Sequence, residues 1–438
     1  MPKNMIGGDV VKNVGRVRII VKLLIVATIV LVFGSCALAD DYVPLPGIKS
    51  PEEVDFGGKT VSIVRHVARI FDENRISDAE KAFNCKIEVV NITTADQFIS
   101  RILAGDSTYD IIREKHRTIH FPLVTAGLLY PVGDLLPDEH YEALTPMDRY
   151  SIEKLEYQGK KYGFGPYEGI YNDSMMLWLY NRDLLEQYGQ PDPYELWQAD
   201  QWTYDAFEEI AKAVTLDTDG DGAIDQWGVG SFADSYGVYR FAPSNGVELA
   251  KQIDGKWVFT FDSKEAIEVL NYMKRWNVDL GLMGGNFGQG TVAFSPNVHL
   301  TGIRNIDNIN FGVVPMPKGP SADRHYYPVF QLWMMSLPVN AEVPEDLMAL
   351  GCYLFRTEDS YVHFDQDVNL YLKDRQHLEA FNEAIEGWRG EGDIFQNTDL
   401  WNICSVVSDV VRGQVGAAAA MDEIRPQAQA FLDDLFGQ

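Results

Sequence analysis

The stretch Thr60-Val61-Ser62-Ile63-Val64-Arg65-His66 decides the fold. Its β-branched alternation reads as a strand. Working outward, Phe71–Phe83 has helical spacing and Lys86–Asn91 (KIEVVN) reads as a second strand. Thr94–Ala104 reads as a second helix and Tyr109–Arg113 (YDIIR) as a third strand. Strand, helix, strand, helix, strand at this spacing predicts a right-handed parallel sheet in an α/β fold. Such sheets hold ligands at the carboxyl ends of their strands. Arg65 and His66 after the first strand, and Glu114, Lys115 and His116 after the third, are therefore the first site candidates.

Further along, Met175–Tyr180 (MMLWLY) reads as a buried strand followed by Asn181-Arg182-Asp183. Thr203 reads as an N-cap, with Phe207, Ile210, Ala211 and Val214 on one helical face. Val329–Leu337 is an apolar strand, Pro344–Phe355 a helix, and the tail from Trp401 is helical with an interruption at Pro426. At 438 residues the chain is long enough for two or three lobes. Hydrophobic residues at 46% and charged residues at 23% fit a globular protein.

The net charge is −27, from 64 Asp+Glu against 37 Lys+Arg. A surface this acidic repels phosphate backbones and anionic lipid, which sets nucleic-acid binding aside. The positive charge that exists is concentrated early. Lys3, Lys12, Arg16, Arg18 and Lys22 precede the eleven-residue apolar run Leu23–Phe33 and then Gly34-Ser35-Cys36. Such a run rises about 16 Å as a helix, well short of the ~30 Å hydrocarbon core, so residues 1–35 read as a secretory signal. Phe33-Gly34-Ser35-Cys36 resembles a bacterial lipobox, which implies cleavage before Cys36 and lipidation of its thiol. Removing that leader leaves 32 Lys+Arg against 63 Asp+Glu, a net charge of −31. Residues 36–57, rich in Pro and acids without periodicity, read as a lipidated tether. Cys85, Cys352 and Cys404 are too few for a disulfide framework and read as buried thiols.

Four groups of phrases then occur in a telling order. They are Ile102–Asp106 with Tyr109–Ile112 and Gly127–Val132; Gly159–Pro166 with Leu179–Leu185; Gln201–Phe207 with Asp225–Gly228; and Phe311–Pro320. Together they resemble the extracellular solute-binding proteins of ABC importers, family 1, of the maltose and oligosaccharide type. The resemblance implies a two-lobed periplasmic-binding-protein-like fold of type II. Each lobe would be a mixed sheet flanked by helices, with a hinge between lobes. By this analogy lobe one takes 58–168 and 330–375, and lobe two takes 169–329 and 376–438. The implied function is capture of a carbohydrate in the interlobe cleft and delivery to the ABC permease subunits. The protein would be a monomer held to the membrane by the lipid on Cys36. A chemosensory or adhesive glycan-binding lipoprotein is the alternative, and a glycan-cleaving enzyme the remoter one. Neither GxSxG, HExxH, Walker A nor GxGxxG after a strand occurs, so no catalytic residue is assigned.

Sugar sites combine flat apolar faces with convergent polar groups. Trp333 with Gln331 lies where the chain re-enters lobe one, and Tyr171, Asn172 and Ser174 follow the first crossover. The resemblance implies stacking rings at Tyr236 and Tyr239. Asn297 falls where many relatives carry a nearby Trp; here Ser295-Pro296-Asn297-Val298-His299 stands instead, a departure from the maltose type. The sharpest local motif is Asp217-Thr218-Asp219-Gly220-Asp221-Gly222-Ala223-Ile224-Asp225. Carboxylates at positions 1, 3, 5 and 9, Gly at 6 and a carbonyl at 7 (Ala223) repeat the first part of a Ca²⁺-binding EF-hand loop. Gly228 stands where the bidentate Glu belongs. Some alginate-binding relatives complete a similar loop with the residue after the last Asp, here Gln226. Ca²⁺ at this loop is expected to be structural.

Overall fold

The structure, a computed structural model, describes residues 42–66, 73–92, 95–103, 109–114, 120–166, 177–298, 300–303, 306, 308–326, 334–356, 368, 370–386, 395 and 399–438. The leader, Cys36 and the start of the tether lie outside the described residues. In chain order the first strands are β1 (Thr60–His66), β2 (Lys86–Ile92), β3 (Ile111–Glu114), β4 (Gly163–Phe164) and β5 (Leu177–Asn181). Then follow β6 (Trp227–Val229), β7 (Ala250–Ile253), β8 (Lys256–Phe259), β9 (Val292–Val298), β10 (Phe311–Val314) and β11 (Met334–Ser336). The helices used below are α1 (Glu73–Ala82), α2 (Ala95–Leu103), α3 (His120–Thr125), α4 (Asp138–Ala143) and α5 (Tyr204–Val214). The later ones are α6 (Ser235–Phe241), α7 (Lys264–Lys274), α8 (Pro344–Leu354), α9 (Arg375–Glu386) and α10 (Ala417–Phe436).

The expected parallel sheet is present. Its order is β2-β1-β3-β11-β4, with β1 parallel to both β2 and β3. Period-2 alternation sends Ile63 and Ile111 into the core shared with Ala79 and Phe83 of the α1 side. Val64 and Ile112 face the other way, onto Phe98, Leu123 and Val124 from α2 and α3. Both faces are therefore covered, as parallel strands require.

The chain leaves this sheet after β4 and builds a second one, order β10-β5-β9-β6. It returns for β11, which pairs antiparallel with β3 and β4. Trp178 of β5 anchors the second sheet, ringed at 5.2–6.3 Å by Phe207, Phe232, Phe241 and Phe294. Thr203 caps α5 as expected, accepting the Ala206 N–H at 3.3 Å. After the return, α9 packs on β10, where His377 stacks on Phe311 at 4.7 Å. α10 lies on β8 and touches α3, through Phe436 against Trp257 and Phe121.

Two expectations need correction. The interruption at Pro426 does not occur, because α10 runs through it. Pro426 removes one helical hydrogen bond, but Ile424, Ala428 and Leu432 stay buried on one face and hold the helix. Residues 43–57 are docked and not a free tether: Ile48 and Val54 are buried, with Leu45 and Phe56 packed beside them. Lys49 reaches Asp346 at 2.6 Å, at the start of α8. Single apolar residues spaced by turns make no periodic pattern, which is why composition suggested a tether.

β11 fits because glycines stand in β4 and directly after it, at Gly163 and Gly165. A Cβ on Gly163 would collide with Met334 Cε, and one on Gly165 (φ +69°) would lie 2.6 Å from Met335 Cε and 2.9 Å from Cys352 Sγ. Gly159 shares the left-handed backbone (φ +74°) but has open space around it. Gly159→Ala should cost about 1 kcal/mol, the backbone penalty alone. Gly165→Ala should cost about 1–3 kcal/mol more by overpacking. Chemical denaturation of the two variants checks this, and equal losses would contradict the slot.

His140 on α4 clamps the docked segment to the same strand. Its Nδ1–H donates to Pro46 O at 3.1 Å, and its Nε2 accepts the Gly165 N–H at 3.2 Å. Both nitrogens are satisfied only in the neutral ring; a proton on Nε2 would face the Gly165 N–H. Burial pulls the imidazole down to about 4 from 6.5. The neutral form's contribution is thus complete above pH 6.5 and is lost as pH falls toward 4, by about 1.4 kcal/mol per pH unit. The difference in acid-limb slope between the wild type and His140→Gln isolates it, and identical slopes would contradict it.

Candidate functional site

β1 and β3 run parallel, so their carboxyl ends share one edge of the first sheet. Arg65 and Arg113 are neighbours in register there, and Glu114 pairs with Met334. The carboxyl end of α8 reaches the same place: Arg113 Cζ lies 4.6 Å from the Phe355 ring centroid. Arg356 follows, its Cζ 4.4 Å from the Tyr353 ring, and Arg75 near the amino end of α1 donates to Leu354 O at 3.1 Å. Arg75, Arg113 and Arg356 are only 6%, 4% and 7% exposed. Arginine is seldom so buried. Topology thus gathers four arginines at the edge where parallel sheets hold ligands.

The other candidates fare differently. Arg65, Glu114 and Asn297 are placed by backbone, on β1, β3 and β9, and their side chains lie outside the described set. His116, Tyr171, Asn172, Ser174, Gln331 and Trp333 lie outside the described residues. Tyr236 on α6 is 43% exposed, with its ring 4.3 Å from Trp401 and 5.1 Å from Arg240 Cζ. Tyr239 is 1% exposed, packs against Phe261 and Trp401, and donates its hydroxyl to Cys404 O at 2.6 Å. The stacking role implied for Tyr239 does not fit this placement. One helical turn separates the exposed ring from the buried one, and residue type alone does not say which is which.

Sequence reasoning passed over Arg75, Arg113 and Arg356. A signal existed for Arg113 alone: REKHR (113–117), with RHVAR (65–69) after the neighbouring strand, holds basic residues in a chain otherwise rich in acid.

The acidic loop closes on itself. Asp217, Asp219 and Asp225 each present a carboxylate oxygen, all within 4.8 Å of one another. Asp217 accepts the N–H groups of Gly220 and Gly222 at 2.6 and 2.8 Å, which hold its carboxyl below the ordinary range. Those glycines sit at φ +80° and +93°, where other residues are strained. Asp225 takes the Thr218 N–H at 2.9 Å. Three hard oxygen donors suit a cation such as Ca²⁺. Asp221 stands apart from this trio, accepting the Ala223 N–H at 2.8 Å. Gln226, expected as a further ligand, is turned away. Its Nε2 donates to Val214 O at 2.7 Å, and its Oε1 accepts the Tyr188 hydroxyl at 3.5 Å. The side chain is buried and ties the loop to the end of α5.

The family model for bacterial extracellular solute-binding proteins matches residues 71–350, and the chain belongs to that family. Solved structures share its two-lobed fold. One is an ABC substrate-binding protein from Listeria monocytogenes in complex with cycloalternan, with a TM-score of 0.61 at 16% identity over 85% of this chain and 99% of that one. Another is the cyclic α-maltosyl-1,6-maltose binding protein of Arthrobacter globiformis, at 0.60 and 15% over 86% and 100%. A third is the maltose/maltodextrin-binding domain MalE of Bdellovibrio bacteriovorus bound to maltotriose, at 0.58 and 17% over 86% and 100%.

Proposed function

We propose that this protein captures an oligosaccharide between its two lobes and delivers it to the permease subunits of an ABC importer. The observation that carries the reading is the family match across 71–350, together with a fold shared with structures in complex with cycloalternan and maltotriose and with a cyclic α-maltosyl-1,6-maltose binding protein. The chain passes repeatedly between two sheets, an arrangement suited to hinge closure round a solute. The exposed ring of Tyr236 offers an apolar face for sugar C–H groups, and the polar edge of β1 and β3 offers hydrogen bonds. Binding and release need no bond to be made or broken.

The protein works outside the cytoplasmic membrane, as a monomer anchored by lipid on Cys36. The basic leader, short apolar run and Cys36 support the anchor. Ca²⁺ held by Asp217, Asp219 and Asp225 supports the loop after α5 and takes no part in chemistry. The support for this is three carboxylate oxygens within 4.8 Å on an exposed loop, which repel one another without a counter-ion.

Three outcomes are expected. A glycan panel followed by calorimetry finds an oligosaccharide ligand; binding of peptides or polyamines alone would overturn the carbohydrate reading. Added Ca²⁺ raises the melting temperature of metal-stripped protein, and Asp217→Asn abolishes most of the rise; no change on chelation would remove the ion. Fatty-acid labelling in cells marks the wild type and not Cys36→Ser; equal labelling would place the lipid elsewhere or nowhere.

A further inference from the structure

We propose that the docked segment 43–57 shortens the leash to the membrane, so that the lipid on Cys36 keeps the face around α4 and the start of α8 within about 30 Å of the headgroups. The inference rests on the lipid anchor proposed above and adds which face of the body stands next to the bilayer.

The docking runs along the segment and uses partners far apart in sequence. Leu45 packs against the core. Pro46 O accepts the His140 Nδ1–H at 3.1 Å, and Gly47 (φ +78°) passes so close to Pro137 that a Cβ there would lie 2.4 Å from its Cδ. Ile48 is buried, and the Lys49 ammonium lies 2.6 Å from Asp346 and 3.1 Å from Glu345 in the first turn of α8. Val54 is buried, and the Asp55 carboxylate accepts from Asn84 Nδ2 at 2.7 Å. The Phe56 and Gly58 N–H groups donate to Phe83 O at 3.0 Å and Asn84 O at 2.7 Å, which leads the chain into β1. Contacts thus recur from Leu45 to β1, and the segment belongs to the body.

Covalent length then bounds the reach. Nine residue steps separate Cys36 from Leu45, about 30 Å at a full extension of ~3.4 Å each. A chain free as far as Thr60 would span twenty-four steps, about 80 Å. The difference decides whether the body roams above the membrane or stays beside it. Charge does not replace the leash. Without the leader the chain carries −31, which repels anionic headgroups. Solute is therefore collected and passed on in the layer next to the bilayer, with α4 and the start of α8 on the membrane side.

Energy transfer on vesicles tests this with the full lipidated chain. The donor sits on Val343→Cys, an exposed position that caps α8, while Cys85, Cys352 and Cys404 are buried. The acceptor is carried on the headgroups of vesicles containing phosphatidylglycerol. The chain is compared with one bearing a ~15-residue Gly/Ser insert between Asp41 and Tyr42. The expected result is strong transfer in the parent and a drop of about twofold or more with the insert. Ile48→Asp combined with Lys49→Glu unseats the segment and should lower transfer likewise. Weak transfer in the parent, unchanged by the insert, would overturn the leash and leave the anchor standing. Failure of the parent chain to stay with the vesicles would overturn the anchor and the leash together. Retention of Cys36→Ser on the same vesicles would reveal a face that adheres by itself and also overturn the leash. Should the unseated variant fail to fold, the insert, which changes no packed residue, still decides.

Discussion

Met335 pairs with Arg113 on one side and with Phe164 on the other, and the two halves of the first sheet meet through that contact. β11 is three residues long, all buried, and arrives after the whole second sheet has been built. Without it β4 has no partner and β3 becomes an open edge. Gly163 of β4 and Gly165 just after it make room for its two methionines, and His140 then ties the docked segment near Pro46 to Gly165. The fold therefore depends on a short, very non-local pairing, whose loop-closure cost must be met before any of its contacts form. It also fixes the carboxyl end of β3, where Arg113 and Glu114 stand.

Charge is distributed with the same economy of place. The body is strongly acidic, yet arginines collect where two parallel strands end and one helix finishes. Acid collects in the loop after α5, where backbone N–H groups already hold Asp217 ionised. Each cluster is legible as a device because it opposes its surroundings or concentrates them. A uniform acidic surface would have said only that nucleic acid is a poor partner.

Much of the fold could be read from residues alone. β1 matches its expected span residue for residue, because β-branched alternation bounded by polar residues has one interpretation. Thr203 and the apolar face of α5 were equally plain. β11 was not. Val329–Leu337 is a mostly apolar run broken by Gln331 and Ser336, and periodicity cannot say which three residues pair; among the described residues the strand is Met334–Ser336. The docked segment 43–57 hid for the opposite reason, since Ile48 and Val54 insert singly. In the site, spacing found the carboxylate trio but not the turn of Gln226 toward Val214. The buried arginines escaped notice because Arg113 read as the last residue of a strand and Arg356 as a residue beyond a helix. Only the register of β1 on β3 and the return of α8 bring them together.

The central claim is that solute binds at the carboxyl edge of the first sheet. Backbone hydrogen exchange of the full chain, with and without the oligosaccharide that the glycan panel identifies, tests it most directly. The account predicts that ligand slows exchange in peptides containing Arg65, Arg113 and Arg356 and leaves those spanning Asp217–Gln226 unchanged. Slowed exchange confined to other segments, with the β1 and β3 ends unaffected, would contradict it.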